Sequence, residues 1–138
     1  MTTTVTIVTQ DEPFYLPRFF EHLFDSLPQS VEIDRVIVLD TFNERTVDFV
    51  RRMYQFYGPM NFLRRGIAYT WRTVADEIGA GAYSVTHTAR EYSYSVEKRQ
   101  TVNDSMFVQT IKKDTDVVLS VSAPEIFEAD LIDAPSWG

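Results

Sequence analysis

The chain has 138 residues, 44% hydrophobic and 24% charged, with 13 basic against 20 acidic side chains for a formal charge of -7. This suits one domain able to bury about two-thirds of the surface its unfolded chain exposes, and it excludes a disordered chain. The absence of cysteine excludes disulfides, thiolate nucleophiles and Cys-ligated zinc, and the acidic balance argues against general affinity for a phosphate backbone.

The pairs Arg51-Arg52 and Arg64-Arg65 leave room for a local basic patch, although a solvated helix face is the plainer reading. The opening MTTTVTIVTQ has no basic leader region, and no apolar run approaches the length of a membrane span, so a cytoplasmic protein without membrane contact is expected.

In chain order, Thr4 to Gln10 reads as a short β-branched strand. Leu16, Phe19, Phe20, Leu23, Phe24 and Leu27 then recur at helical spacing, with Pro17 in the first turn and Pro28 as the stop. The second strand, Val31 to Asp40, contains the continuous run Val36-Ile37-Val38-Leu39, the mark of a strand covered on both faces. Helices are expected over Thr46 to Tyr57, ended by Gly58-Pro59, and from Phe62 to Ile78, ended by Gly79-Ala80-Gly81. A short helix over Ser84 to Tyr92 leads to a weaker strand at Tyr94 to Lys98. Asp104 is the expected N-cap of a helix reaching Lys113. A fourth strand spans Asp116 to Ala123, and a last helix spans Pro124 to Ile132.

This order implies one α/β domain over residues 1–138, doubly wound around a mostly parallel sheet, Rossmann-like, with strand order 3-2-1-4. One feature conflicts with a complete sheet. The fourth strand is among the most apolar, which suits a central position, yet this order leaves it at an edge. The turn-forming Pro135-Ser136-Trp137-Gly138 normally leads into a further element, so the sequence reads as the incomplete amino-terminal portion of a larger domain, truncated after the fourth strand. The exposed strand would then allow self-association.

Ligands of open parallel sheets bind beyond the carboxyl ends of the strands where strand order reverses. That rule selects the loops Thr9 to Tyr15 and Ser122 to Phe127. The first lacks glycine altogether, so neither a dinucleotide fingerprint nor a P-loop is present. Asp11-Glu12 with Asp40 invites a Mg²⁺ site; the simpler alternative is that the two carboxylates cap the following helix. His22 and His87 fall within helices, without a triad partner at a telling spacing. Phe19, Phe20, Phe24, Tyr54, Phe56, Tyr57, Phe62 and Trp71 read as core, whereas Phe14-Tyr15 lies in a loop and can line a pocket or staple the helix start.

Four stretches in this order, VTIVTQDEPFYLPRFFEHLF, RMYQFYGPMNFLRRG, SVEKRQTVND and DVVLSVSAPEIFEADLIDAP, resemble the amino-terminal part of the formyltransferase family, the enzymes akin to methionyl-tRNA formyltransferase. The resemblance spans nearly the whole chain and is best from Asp116 to Pro135, with no single diagnostic motif. It implies transfer of a formyl group from formyl-tetrahydrofolate to an amine of an aminoacyl-tRNA, a glycinamide nucleotide or an amino sugar. The family's catalytic Asn-x-His lies on the strand after this point, and its Asp lies further on, so the resemblance assigns no catalytic residue to this chain. It implies that Ser122, Ala123, Pro124, Glu125, Ile126 and Phe127 read the pteridine through loop amides and carbonyls, with Pro124 limited to its carbonyl. It places Gln10, Asp11, Glu12, Phe14 and Tyr15 toward the amine substrate, in a loop lacking the family's usual small residues.

Two other classes fit parts of the sequence. A receiver-like regulatory domain would use Asp11-Glu12 as its acidic pair, Asp40 as phospho-acceptor and Ser122 as a strand-end hydroxyl. A non-catalytic interaction module would pair the fourth strand with a partner by strand addition.

Overall fold

The structure is a computed structural model, and it describes residues 1–12, 15–40, 51, 54, 55, 58–61, 63–68, 71 and 84–137. Four parallel strands form one sheet: β1 (Thr3–Gln10), β2 (Val31–Leu39), β3 (Ser95–Arg99) and β4 (Val117–Ser120). Their order is β3-β2-β1-β4, as the alternation of strands and helices predicts. The helices α1 (Leu16–Asp25), α2 (Val85–Glu91), α3 (Ser105–Asp114) and α4 (Ala129–Ile132) complete a Rossmann-like α/β arrangement.

Side chains alternate across the sheet and so build two cores. Val5 and Ile7 of β1 join Ile33, Val36 and Val38 of β2 on one face, under Leu16, Phe20 and Phe24 of α1 and Val85 and Ala89 of α2. Val8, Ile37 and Leu39 point the other way, against Phe107 and Ile111 of α3, Leu131 of α4, Val102 and Ala134. This division explains why Val36-Ile37-Val38-Leu39 is apolar without interruption.

The spacing of Ile33 and Val36 breaks the alternation, and a bulge restores it. Val5 pairs with Ile33 but Thr6 pairs with Arg35, so Asp34 is the extra residue. Without it, the apolar set after Ile33 would turn to the wrong face. Asp34 and Arg35 then form an ion pair at the bulge.

Local signals account for the helix ends. Pro17 sits in the first turn of α1, and the Ser26 N–H closes its last turn on the carbonyls of His22 and Leu23, before Pro28. Ser84 caps α2 and Asp104 caps α3, each side chain accepting from a backbone N–H three residues on. One buried polar pair links the sheet to the chain leaving α3: the hydroxyls of Thr6 and Thr115 lie 2.8 Å apart.

Several sequence expectations need correction. The last helix starts at Ala129 and not at Pro124; the Ile126 carbonyl and the Glu128 N–H are bonded to the Asn103 side chain. β4 ends at Ser120, two residues before Ser122 takes a left-handed φ of 53°. It lies at an edge, and its side chains are half-buried or exposed despite their apolar character. Of the aromatic residues expected in the core, Phe20 and Phe24 are buried, while Phe19, Tyr54 and Trp71 are exposed. Phe56, Tyr57 and Phe62 lie outside the described residues, as does most of the helix expected over Thr46 to Tyr57. Residues 63–68 are helical as expected, and the glycine stop at residues 79–81 lies outside the described residues. Among the described residues, no helix is long and apolar enough to cross a membrane.

Candidate functional site

Strand order reverses between β1 and β4, the chain running outward through β2 and β3 before crossing back. The carboxyl ends of β1 and β4 therefore lie side by side, Val8 being paired with Ser120. The two loops selected from the sequence meet there. Gln10 Nε2 donates to Ser122 Oγ at 3.0 Å, joining residues 112 positions apart.

The acidic pair after β1 serves the helices. Asp11 accepts at Oδ1 from the Val85 N–H (2.9 Å) and at Oδ2 from the Thr86 hydroxyl (3.2 Å), fastening the start of α2 to the end of β1. Glu12 Oε2 accepts from the N–H groups of Tyr15 (2.8 Å) and Leu16 (3.3 Å), replacing a side-chain cap that Tyr15 itself does not supply. Capping is thus the reading the geometry favours over a cation cradle, although Asp11 caps a helix distant in sequence rather than the next one. Asp40 is exposed beyond β2, its amide donating to the Arg99 carbonyl. Among the described residues, no group of three or more His, Asp or Glu side chains is placed to hold a metal ion. Tyr15 is 71% exposed beside this loop, and Phe14 lies outside the described residues.

The loop after β4 runs irregularly from Val121 to Glu128. Val121 still donates to the Val8 carbonyl; beyond it, Ser122 adopts the left-handed conformation that a non-glycine residue takes at a cost of about 1–3 kcal/mol. Among the described residues, the amides of Ala123, Glu125 and Ile126 donate no hydrogen bond within the protein. Ile126 is 89% exposed, whereas Ala123 and Phe127 rest against the second core.

What holds this loop comes from the connection between β3 and α3. The Glu125 carboxylate accepts from the Thr101 hydroxyl (2.6 Å) and the Val102 N–H (2.9 Å). Asn103 donates from Nδ2 to the Ile126 carbonyl and accepts at Oδ1 from the Glu128 N–H, both at 2.9 Å. That connection is itself anchored. Val102 is fully buried, and Arg99 reaches Glu97 (2.5 Å), Asp104 (2.6 Å) and the Thr101 carbonyl while its guanidinium lies 4.8 Å from the Phe107 ring centroid. The Phe107 N–H, followed by Arg99, holds the Asp104 carboxyl below its ordinary range. Thr101 and Asn103 were not singled out in the sequence; the only signal was their place in the stretch SVEKRQTVND, three residues and one residue before the helix cap Asp104.

Both histidines are confirmed as helical. His22 is exposed on α1, and His87 stands in the first turn of α2, 3.5 Å from Glu91. The bond from Asp11 to Val85 brings that turn close to the end of β1, nearer the candidate site than the sequence indicates.

A scan against protein-family models and a search of curated proteins return no match to this chain.

Proposed function

We propose that the junction of the β1 and β4 loops is the folate side of a formyltransferase site, and that this chain is the amino-terminal part of an enzyme moving a formyl group from formyl-tetrahydrofolate to an amine. The observation that carries this reading is the irregular loop Ser122 to Phe127 at the reversal of strand order, where the amides of Ala123, Glu125 and Ile126 donate to no described residue. A pteridine edge offers donors and acceptors to such groups, and Ala123, Pro124, Ile126 and Phe127 supply apolar cover for its faces. The formyl donor brings the transferable one-carbon unit; this chain's own contribution is to bind and orient the pteridine.

On this reading Gln10 and Tyr15 stand toward the amine, while Asp11 and Glu12 act indirectly through the helices they cap. The catalytic Asn-x-His of the resemblance would come from a further strand beside β4. The Ser136 and Trp137 amides already donate to the Thr115 and Asp116 carbonyls, which brings the chain to the entry of β4. Calorimetry of this chain with 5-formyltetrahydrofolate tests the reading. Weak, saturable binding is expected; tight binding contradicts a pocket completed by another strand.

A second reading, the interaction module, draws on the difference between the sheet edges. β3 carries Glu97, Lys98 and Arg99, charges that discourage strand addition, whereas β4 presents Val117-Val118-Leu119-Ser120. The receiver reading gains no such support, because receivers order their strands 2-1-3-4-5.

A further inference from the structure

The stretch from Pro124 to Ile132 has the length and apolar spacing of a helix, yet only Ala129–Ile132 is helical. We infer that Asn103 and Glu125 are positioning residues that keep the first half of this stretch unwound, and that the unwound shape gives the loop its affinity for a flat heterocycle. The affinity half of the inference rests on the folate reading above; the conformational half does not.

The argument is a competition for backbone groups. In a helix begun at Pro124, the Ile126 carbonyl would accept from the chain four residues on, and the Glu128 N–H would donate to the Pro124 carbonyl. Asn103 takes both groups instead, with a donor and an acceptor set side by side on one planar amide. Side-chain bonds of this kind compete directly with helix formation. Glu125 adds a second restraint by turning its carboxylate back to Thr101 and Val102. All four bonds run to three consecutive residues, the middle one fully buried and the segment fixed by Arg99 and the Asp104 cap. Four bonds thus tie the loop to a segment that is itself anchored in the core and to α3. Loop shape is therefore imposed from the β3–α3 connection.

Asparagine is specific to this task. Aspartate cannot donate to the Ile126 carbonyl, and alanine can do neither. Glutamine at position 125 can still accept from Val102 and donate to the Thr101 hydroxyl, whereas alanine there removes both bonds.

Backbone NMR of the wild-type chain, Asn103→Ala and Glu125→Ala tests both halves, read before and during titration with 5-formyltetrahydrofolate. The inference expects carbon secondary shifts of residues 125–128 to move toward helical values in Asn103→Ala, with sheet resonances unchanged. It also expects both variants to bind the folate about ten-fold more weakly than wild type. Unchanged loop shifts in Asn103→Ala overturn the conformational claim, and wild-type affinity in both variants overturns the claim on binding. A wild-type chain that binds no folate defeats the functional reading and the affinity claim together, and the loop shifts still decide the rest.

Discussion

Ser93 carries the chain out of α2 with φ 63°, its N–H bonded to the Arg90 carbonyl and the next N–H bonded to the Ala89 carbonyl. This is the helix ending that glycine ordinarily fills, because a Cβ is strained there. Ser93→Gly should stabilise the fold by about 0.5–1 kcal/mol, the relief of strain exceeding the extra freedom of the unfolded chain. Urea unfolding measures it, and a destabilised variant would contradict the assigned backbone. The neighbouring Tyr92 hydroxyl donates to Asp25 at 2.6 Å, and that bond pushes its pKa up to about 12. A folded-state pKa raised in this way contributes stability that is complete below the ordinary tyrosine value near 10 and is lost as pH rises toward 12. The ultraviolet titration difference between wild type and Tyr92→Phe should therefore centre near 12, not 10. Asp104 has the opposite sign. Its lowered carboxyl pKa gives stability present above about pH 4 and lost as pH falls through the folded value. Asp104→Ala should cost about 1–2 kcal/mol at neutral pH and flatten the acid limb of the stability curve.

Among the elements, those whose signal is local were legible in the sequence. α1 follows from the spacing of Leu16, Phe20 and Phe24, β2 from four consecutive apolar residues, and the start of α3 from Asp104. The extent of the last helix was not, because its rival is a side chain more than twenty residues earlier. Nothing in the local pattern of Pro124 to Glu128 reveals that Asn103 takes its backbone groups. The candidate site was legible in part for the same reason. Strand order located the two loops, but which carboxylate faces which helix depends on contacts such as Asp11 with Val85, 74 residues apart. The bond between Thr6 and Thr115 offers a test of such long-range pairing. Thr6→Val alone leaves a buried hydroxyl without its partner and should cost about 1–3 kcal/mol. The double variant Thr6→Val with Thr115→Val should cost less than the sum of the two single changes, as thermal unfolding can establish.

For the whole molecule, the decisive property is the asymmetry of the sheet. A charged β3 closes one edge, while an apolar β4 leaves the other without a strand partner among the described residues. That asymmetry predicts concentration-dependent self-association of the chain, abolished by Leu119→Lys, in sedimentation velocity. A monomer at every concentration would remove the support for strand addition by a second copy. The same sheet places its reversal point beside that edge, so a strand added to β4 would border the proposed folate loop.

The most direct measurement is the backbone amide spectrum of the wild-type chain during addition of 5-formyltetrahydrofolate. Saturable shifts confined to Gln10 and to Ser122 through Glu128, excepting Pro124, are predicted. Shifts elsewhere on the sheet, or none at millimolar folate, would contradict a folate site at the junction of β1 and β4.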